Sequence, residues 1–261
     1  MKIVKIIGIL LLSCYLLLCA GLYIGQDQVL FKPKKLSEDH RFPTGQEVEI
    51  PVAEGISLNC LSVKEPNSKG VILYLHGNRG SIRRCLRQAQ TMSGNQYDLF
   101  LADYRGYGKS DGHIISEEQL FKDVQIVYDY LKKQYREDQI QIVGYSLGSG
   151  MASWLAAHNS PQRLVLVAPY VSFTDLKNHY IPFIPNFLVK FPLNNKAHLE
   201  RVKCPVTLFH GTNDEVIPFV SSEELVQVDP SNIKLVTLER ESHRGAIFNG
   251  LFRSTIRKIL K

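Results

Sequence analysis

The segment Gly144-Tyr145-Ser146-Leu147-Gly148 sets a serine between two glycines at the spacing used by nucleophiles on tight turns. The apolar run Gln139-Ile140-Gln141-Ile142-Val143 precedes it, and the small-residue stretch Gly148-Ser149-Gly150-Met151-Ala152-Ser153 follows. A serine between a buried strand and a helix holds its hydroxyl out at the end of the sheet. Gly144 and Gly148 leave room for the close backbone approach of such a turn. The first amides of the helix, that of Leu147 among them, aim at negative charge developing nearby. An inert turn serine is the bland alternative, and the strand–turn–helix setting weighs against it.

A nucleophilic serine needs a base, and the base needs a carboxylate to orient it. In an alternating strand–helix chain the partners are expected in the order Ser, acid, His, each in a loop beyond the carboxyl end of a strand. Asp214 meets this in the turn His210-Gly211-Thr212-Asn213-Asp214, after the apolar run 206–209. His243 meets it in Glu241-Ser242-His243-Arg244-Gly245, after the run 233–238. Asp175 is the reserve acid. The Leu147 amide needs a partner to hold an oxyanion, and the loop His76-Gly77-Asn78-Arg79-Gly80 supplies Asn78, with Arg79 second. His76 and His210 each end a strand and read as braces.

Asp103-Tyr104-Arg105-Gly106-Tyr107-Gly108-Lys109-Ser110 fits neither the dinucleotide fingerprint nor the P-loop. Asp103 and Arg105 are expected to share a buried polar network there. Arg79, Arg83, Arg84 and Arg87 form a basic cluster beside the oxyanion loop, suited to an anionic headgroup or to plain solvation. No His or Cys spacing suits a metal, so neither metal nor cofactor is expected.

The elements that must position these residues follow from periodicity. Residues 47–52 and 56–63 alternate as a hairpin about Ala53-Glu54-Gly55. Short apolar runs at 71–75, 98–102, 139–143, 163–168, 206–209 and 233–238 read as further strands. Helices are expected at 83–92, 116–135, 148–158, 220–226 and 245–260. The alternation implies an α/β domain with a mostly parallel central sheet and helices on both faces, over residues 47–261. Residues 171–200 interrupt it. Tyr180 to Phe191 is too rich in proline for one helix and too apolar for a solvent loop. A small cap, a lipid-facing surface and a packing loop are the three readings, the cap being favoured. Arg79, Tyr145, Tyr180, Phe183 and Phe187 are the expected pocket residues.

Residues 1–26 hold an uncharged stretch from Ile6 to Gln26 that makes a helix of about 30 Å, enough to span a bilayer. An uncleaved single-pass anchor is expected. A cleaved signal competes, with an imperfect small-residue site at Cys19-Ala20-Gly21. Lys2 and Lys5 favour an extracytoplasmic domain, against Lys32, Lys34 and Lys35. Residues 27–46 read as a polar tether. The formal charge is +6, from 31 basic and 25 acidic residues. That mild excess suits an anionic membrane surface, and no motif suggests nucleic acid. Cys14, Cys19, Cys60, Cys85 and Cys204 form no disulfide framework.

Together these residues resemble the α/β-hydrolase superfamily, and within it the BEM46-like branch, similar to abhydrolase-domain-containing 13 and 17 type proteins. His76-Gly77-Asn78, the stretch 103–110, Gly144 to Gly148 and the stretch 210–218 carry the likeness, with Gln28-Val29-Leu30-Phe31-Lys32-Pro33 as the lead-in after the membrane segment. Arg79, in place of a small residue, and Tyr180 to Phe191 depart from the pattern. The resemblance implies an α/β-hydrolase fold, a Ser146-Asp214-His243 triad and an acyl-enzyme mechanism. It also implies ester or thioester hydrolysis of an acyl-containing small molecule, a lipid or a lipidated protein. A serine peptidase or amidase, and a non-catalytic binding scaffold, are the alternatives.

Overall fold

The structure, a computed structural model, describes residues 1–260; Lys261, the last residue of the expected domain, lies outside them. The strands, in chain order, are β1 (Lys32–Pro33), β2 (Gln46–Ala53), β3 (Ile56–Val63), β4 (Gly70–Leu75), β5 (Arg79–Gly80), β6 (Tyr97–Ala102), β7 (Ile140–Tyr145), β8 (Arg163–Val167), β9 (Val206–Gly211) and β10 (Ile233–Leu238). Eight of them form one sheet, ordered β10-β9-β8-β7-β4-β6-β3-β2. Only β3 runs against the rest, because the tight hairpin reverses the chain between β2 and β3. Every other step across the sheet is parallel.

Parallel steps need crossovers, and helices supply them on both faces. They are α1 (Lys2–Ile24), α2 (Gln26–Leu30), α3 (Ile82–Ala89), α4 (Glu117–Lys132), α5 (Gly148–His158), α6 (Phe173–Tyr180), α7 (Asn195–Leu199), α8 (Val220–Val226) and α9 (Gly250–Ile259). Side chains of β4 alternate between two cores. Val71, Leu73 and Leu75 pack with Leu120, Val124 and Val127 of α4 and with Met151 and Leu155 of α5. Ile72 and Tyr74 face the opposite way, onto Ile82 and Leu86 of α3 and Phe252 and Ile256 of α9. Each such buried side chain contributes about 1.5–3 kcal/mol, which is why continuous apolar runs settle at the sheet's centre. Ser116 starts α4 by accepting the Gln119 N–H at 3.1 Å, with Glu117 and Glu118 in the first turn.

Two expectations change, and the insertion acquires a definite form. The single terminal helix is two pieces: a short 3-10 turn, Ala246–Phe248, and then α9. Asn249 is extended and its side chain accepts the Leu251 N–H, so it caps a new helix rather than continuing the old one. The polar stretch 27–46 is built onto the domain and is not a free tether. Phe31 is buried against Phe191, β1 pairs in parallel with β5, and Lys35 bridges to Gly108. The insertion 171–200 holds α6, the 3-10 turn Asn186–Leu188 and α7, and it contacts the N-terminal segment: Tyr15 Oη donates to the Phe183 carbonyl and Gln26 Nε2 to that of Leu188.

Candidate active site

Strand β7 delivers Ser146 at its end, and α5 begins two residues later. The turn is tight enough to exclude side chains on both flanks. A Cβ on Gly148 would lie 2.0 Å from the Leu75 carbonyl oxygen, and one on Gly144 would lie 2.6 Å from the Cβ of Ala152. Ser146 itself sits at φ +53°, in the left-handed region. Such a residue costs about 1–3 kcal/mol, which the surroundings must overcome. The Ser146 N–H donates to Val167 across the sheet at 2.9 Å, and its carbonyl accepts from Ser149.

Loops beyond β9 and β10 bring the two partners to it. His243 Nε2 lies 3.0 Å from Ser146 Oγ, and its Nδ1 lies 2.7 Å from Asp214 Oδ2. With Nδ1–H donating to the carboxylate, Nε2 keeps a lone pair facing the serine hydroxyl. The Asp214 side chain is fully buried. Burial alone would raise its carboxyl, but the close His210 ring nitrogen, the hydrogen bond and charge of His243 and the Ile217 amide hold it well below the usual carboxylate range. Its Oδ1 accepts the amides of Val216 and Ile217 at 2.8 and 2.7 Å.

His210 sits behind the carboxylate as a brace. Its Nε2 donates to the Ile217 carbonyl at 3.0 Å and lies 3.2 Å from Asp214 Oδ2, while Nδ1 accepts from Ser222 Oγ at 2.7 Å. His243 is anchored by its own backbone, donating to Glu215 Oε2 and accepting from Tyr145 Oη, both at 3.0 Å. The reserve acid, Asp175, does not reach this chain of bonds; it is bonded to Ser172 at the start of α6.

The loop after β4 lies against the serine: a Cβ on Gly77 would stand 3.5 Å from that of Ser146. Among the described residues, no hydrogen bond within the protein engages the Leu147 or Asn78 amide. Asn78 is fixed by its other groups. Its carbonyl accepts from Lys32 N–H at 2.9 Å and Tyr107 Oη at 2.8 Å, and its side-chain amide donates to the Leu30 carbonyl.

Beneath the loop, His76 is fully buried and Nε2 stands 3.2 Å from Asp103 Oδ1, too bent for a hydrogen bond but a close polar contact. Burial pushes the Asp103 carboxyl up, against the pull of His76 and the Ile82 amide. Asp103 and Arg105 do not share the expected network. Arg105 turns instead to Asp123 on α4 and meets it with two nitrogens at 2.6 and 2.8 Å. Arg105 lies in the turn that follows Asp103, beyond the end of β6, and the two side chains have separate partners.

A cavity of about 490 Å³ opens over Ser146 and His243. Of the five residues expected at a pocket, Arg79 and Tyr145 line this cavity and Tyr180, Phe183 and Phe187 do not. Tyr180 lines a neighbouring groove, and Phe183 and Phe187 are 59% and 82% exposed. The cavity also takes in Val29 and Leu30, Arg244 and Glu215, which sequence reasoning did not place there, and Arg84 and Arg87 of the basic cluster beside the oxyanion loop. The apolar triplet Val29-Leu30-Phe31 within a polar stretch was the available signal for the first two. Among the described residues, no group of His, Cys, Asp or Glu side chains is arranged to hold a metal ion.

The arrangement can therefore take a proton from a serine, hold the resulting imidazolium against a carboxylate, and offer two free amides to an oxyanion. Comparison with known proteins agrees with this chemistry at the level of family. A family profile described as serine aminopeptidase, S33 matches residues 66–198. An uncharacterised protein of Mycobacterium tuberculosis is 30% identical over 193 residues, covering 70% of this chain and 67% of that protein. The lysophosphatidylserine lipase ABHD12 of Xenopus tropicalis is 30% identical over 200 residues, covering 67% of this chain and 51% of the lipase; the match thus spans about half the lipase's length. An esterase of Pyrococcus furiosus superposes with a TM-score of 0.71 at 18% identity, over 88% of this chain and 98% of the esterase. Est1E from Butyrivibrio proteoclasticus gives 0.67 at 18%, over 83% and 98%. At such identities the two structures share the fold.

Proposed function

The chain belongs to the serine aminopeptidase S33 family of α/β-hydrolases, and from that premise we propose that it cleaves a carboxylic ester or thioester with an apolar acyl part. Ser146 Oγ attacks the acyl carbonyl carbon while His243 Nε2 takes its proton. The amides of Leu147 and Asn78 stabilise the tetrahedral oxyanion. His243 returns the proton to the departing alcohol or thiol as its bond to carbon breaks, leaving an acyl-serine. Water, deprotonated by the same histidine, then releases the acid and restores Ser146.

One observation carries the reading: the unbroken run Asp214–His243–Ser146 at 2.7 and 3.0 Å, ending beside amides that no group among the described residues uses. The vertebrate relatives named as lysophosphatidylserine lipases favour an acyl lipid. The finer kinship with the BEM46-like branch rests on His76-Gly77-Asn78 and the stretch 103–110.

The family's description raises a second reading, an aminopeptidase. Such an enzyme needs a carboxylate to receive the substrate's ammonium group. Glu215 is available in the cavity, although the His243 backbone N–H already binds it. Arg79, Arg84, Arg87 and Arg244 line the same space and would repel an ammonium group, so the ester reading is preferred.

We further read residues 1–26 as an uncleaved membrane anchor. The helix α1 is 23 residues long, about 35 Å, and hardly buried by the domain. Full-length protein recovered in the soluble fraction with residues 1–24 intact would overturn that assignment.

The deciding experiment pairs fluorophosphonate labelling with hydrolysis of matched acyl ester, acyl thioester and aminoacyl amide substrates. Wild type should label and turn over the ester or thioester, and Ser146→Ala should lose at least about 10³-fold in turnover together with the label. A folded wild-type protein that does not label would favour a binding scaffold; preferred cleavage of the amide would favour the peptidase.

A further inference from the structure

Two cavities adjoin on the side of the site that faces the N-terminal segment. The larger holds the serine and His243; the smaller, about 260 Å³, lies between the lower end of α1, α2 and the insertion. Val29, Leu30, Phe173 and Leu176 line both, so the two adjoin as neighbouring arms. On its own the smaller arm falls just below the size of an ordinary small-molecule site, so it suits part of a ligand whose reacting end lies in the larger.

The polar side chains around the smaller arm are already engaged within the protein. Gln26 donates from Nε2 to the Leu188 carbonyl at 2.9 Å and accepts the Lys190 N–H at 2.7 Å. Lys177 Nζ donates to the Ile184 carbonyl and to Asn186 Oδ1. Tyr180 Oη donates to the Val216 carbonyl at 2.9 Å. The Tyr23 ring lies under the Lys190 ammonium, 4.3 Å away. Apart from these, the walls are aliphatic or aromatic. A headgroup or peptide would lose hydrogen bonds to water there without replacement, whereas an alkyl chain would gain from burial.

The arm also opens where lipid would be. Tyr15 Oη donates to the Phe183 carbonyl at 2.8 Å, and Tyr15 stands nine residues, about 14 Å, before the end of α1. With α1 in a bilayer, Tyr15 lies well inside the hydrocarbon and draws the turn 181–189 past its boundary, so the exposed rings of Phe183 and Phe187 meet lipid rather than water.

We propose that the N-terminal segment is one wall of an acyl subsite as well as an anchor. A single alkyl chain enters from the bilayer between α2 and the turn 181–189, passes Leu30 and Leu176, and brings its carbonyl to Ser146. The substrate is accordingly a membrane-resident acyl amphiphile. The inference rests on the hydrolase reading for the reaction at Ser146, and on the groove alone for where the chain lies.

The test uses full-length Ser146→Ala protein in phosphatidylcholine vesicles with a monoacylglycerol carrying a photoactivatable diazirine at its chain end. After irradiation, label should map to residues 181–189, and Leu188→Trp or Ile181→Trp in the same background should cut it about tenfold. Label confined to α1 ahead of Leu22, or unchanged by both tryptophans, overturns the proposal. In the catalytically intact protein, the ratio of kcat/KM for long over short acyl esters should fall about tenfold with Leu188→Trp; an unchanged ratio also overturns it. Wild type without Ser146-dependent turnover overturns the hydrolase reading, and the labelling then decides the groove by itself.

Discussion

The side-chain amide of Asn78 donates to the main-chain carbonyl of Leu30, 3.3 Å away and 48 residues earlier in the chain. Together with Lys32 N–H and Tyr107 Oη on the Asn78 carbonyl, it ties the proposed oxyanion loop to the segment leaving α1. The backbone amide that would hold the oxyanion survives substitution of this side chain, but its aim does not. Asn78→Ala is expected to lower kcat about tenfold with KM within about twofold, less than the 10²–10³ lost with an oxyanion donor itself. Steady-state kinetics on one ester decides it, and an unchanged kcat would remove Asn78 from the positioning role.

Two aspartates were candidates for the acid, and the geometry separates them. Asp214→Asn should cost about 10⁴ in kcat, because the amide no longer fixes the His243 tautomer. Asp175→Asn should change kcat less than about threefold, since Asp175 serves only the start of α6. Comparable losses in both variants would contradict the assignment.

The lowered Asp214 carboxyl also predicts how stability follows pH. A group held below its unfolded value stabilises the fold fully above that value, about 4 for aspartate. The contribution fades as pH falls from there toward the folded value. The melting-temperature gap between wild type and Asp214→Asn should therefore be widest near neutrality and narrow below about pH 4. A gap that widens in acid would show that the carboxylate is not held low.

Gly148 is the least replaceable residue of the nucleophile turn. Its Cβ would overlap the Leu75 carbonyl at 2.0 Å, and that strand cannot retreat from the centre of the sheet. Gly148→Ala should destabilise the protein by about 3 kcal/mol or more, lowering Tm by about 6–12 °C. Calorimetry on the pure variant measures it; a shift within 2 °C, at the low edge of about 1 kcal/mol, would mean that the turn relaxes.

Arg84 and Arg87 line the cavity without a carboxylate partner among the described residues. Substituting both with Glu should raise KM for an anionic acyl substrate about 3- to 10-fold at low salt, and much less for a neutral one. The difference should shrink as ionic strength rises, because both side chains are exposed. Equal effects on the two substrates would reduce the cluster to a solvated helix face.

The sequence by itself determined whatever local spacing can fix. Continuous apolar runs such as 71–75 and 139–143 had to be central strands, and the glycines at 144 and 148 had to flank a turn, because sterics act between near neighbours. Chain order and loop position were enough to nominate Asp214 and His243, since parallel strands put all their carboxyl ends on one edge. Tertiary packing alone decided which walls enclose the serine. Arg105 chose Asp123 over Asp103, Phe183 and Phe187 stayed outside the cavity, and Val29 and Leu30 entered it from a segment that read as a tether. Those outcomes depend on contacts between residues from 18 to 168 positions apart. No periodicity encodes such contacts, because they form only when whole elements dock and the buried polar groups must find partners.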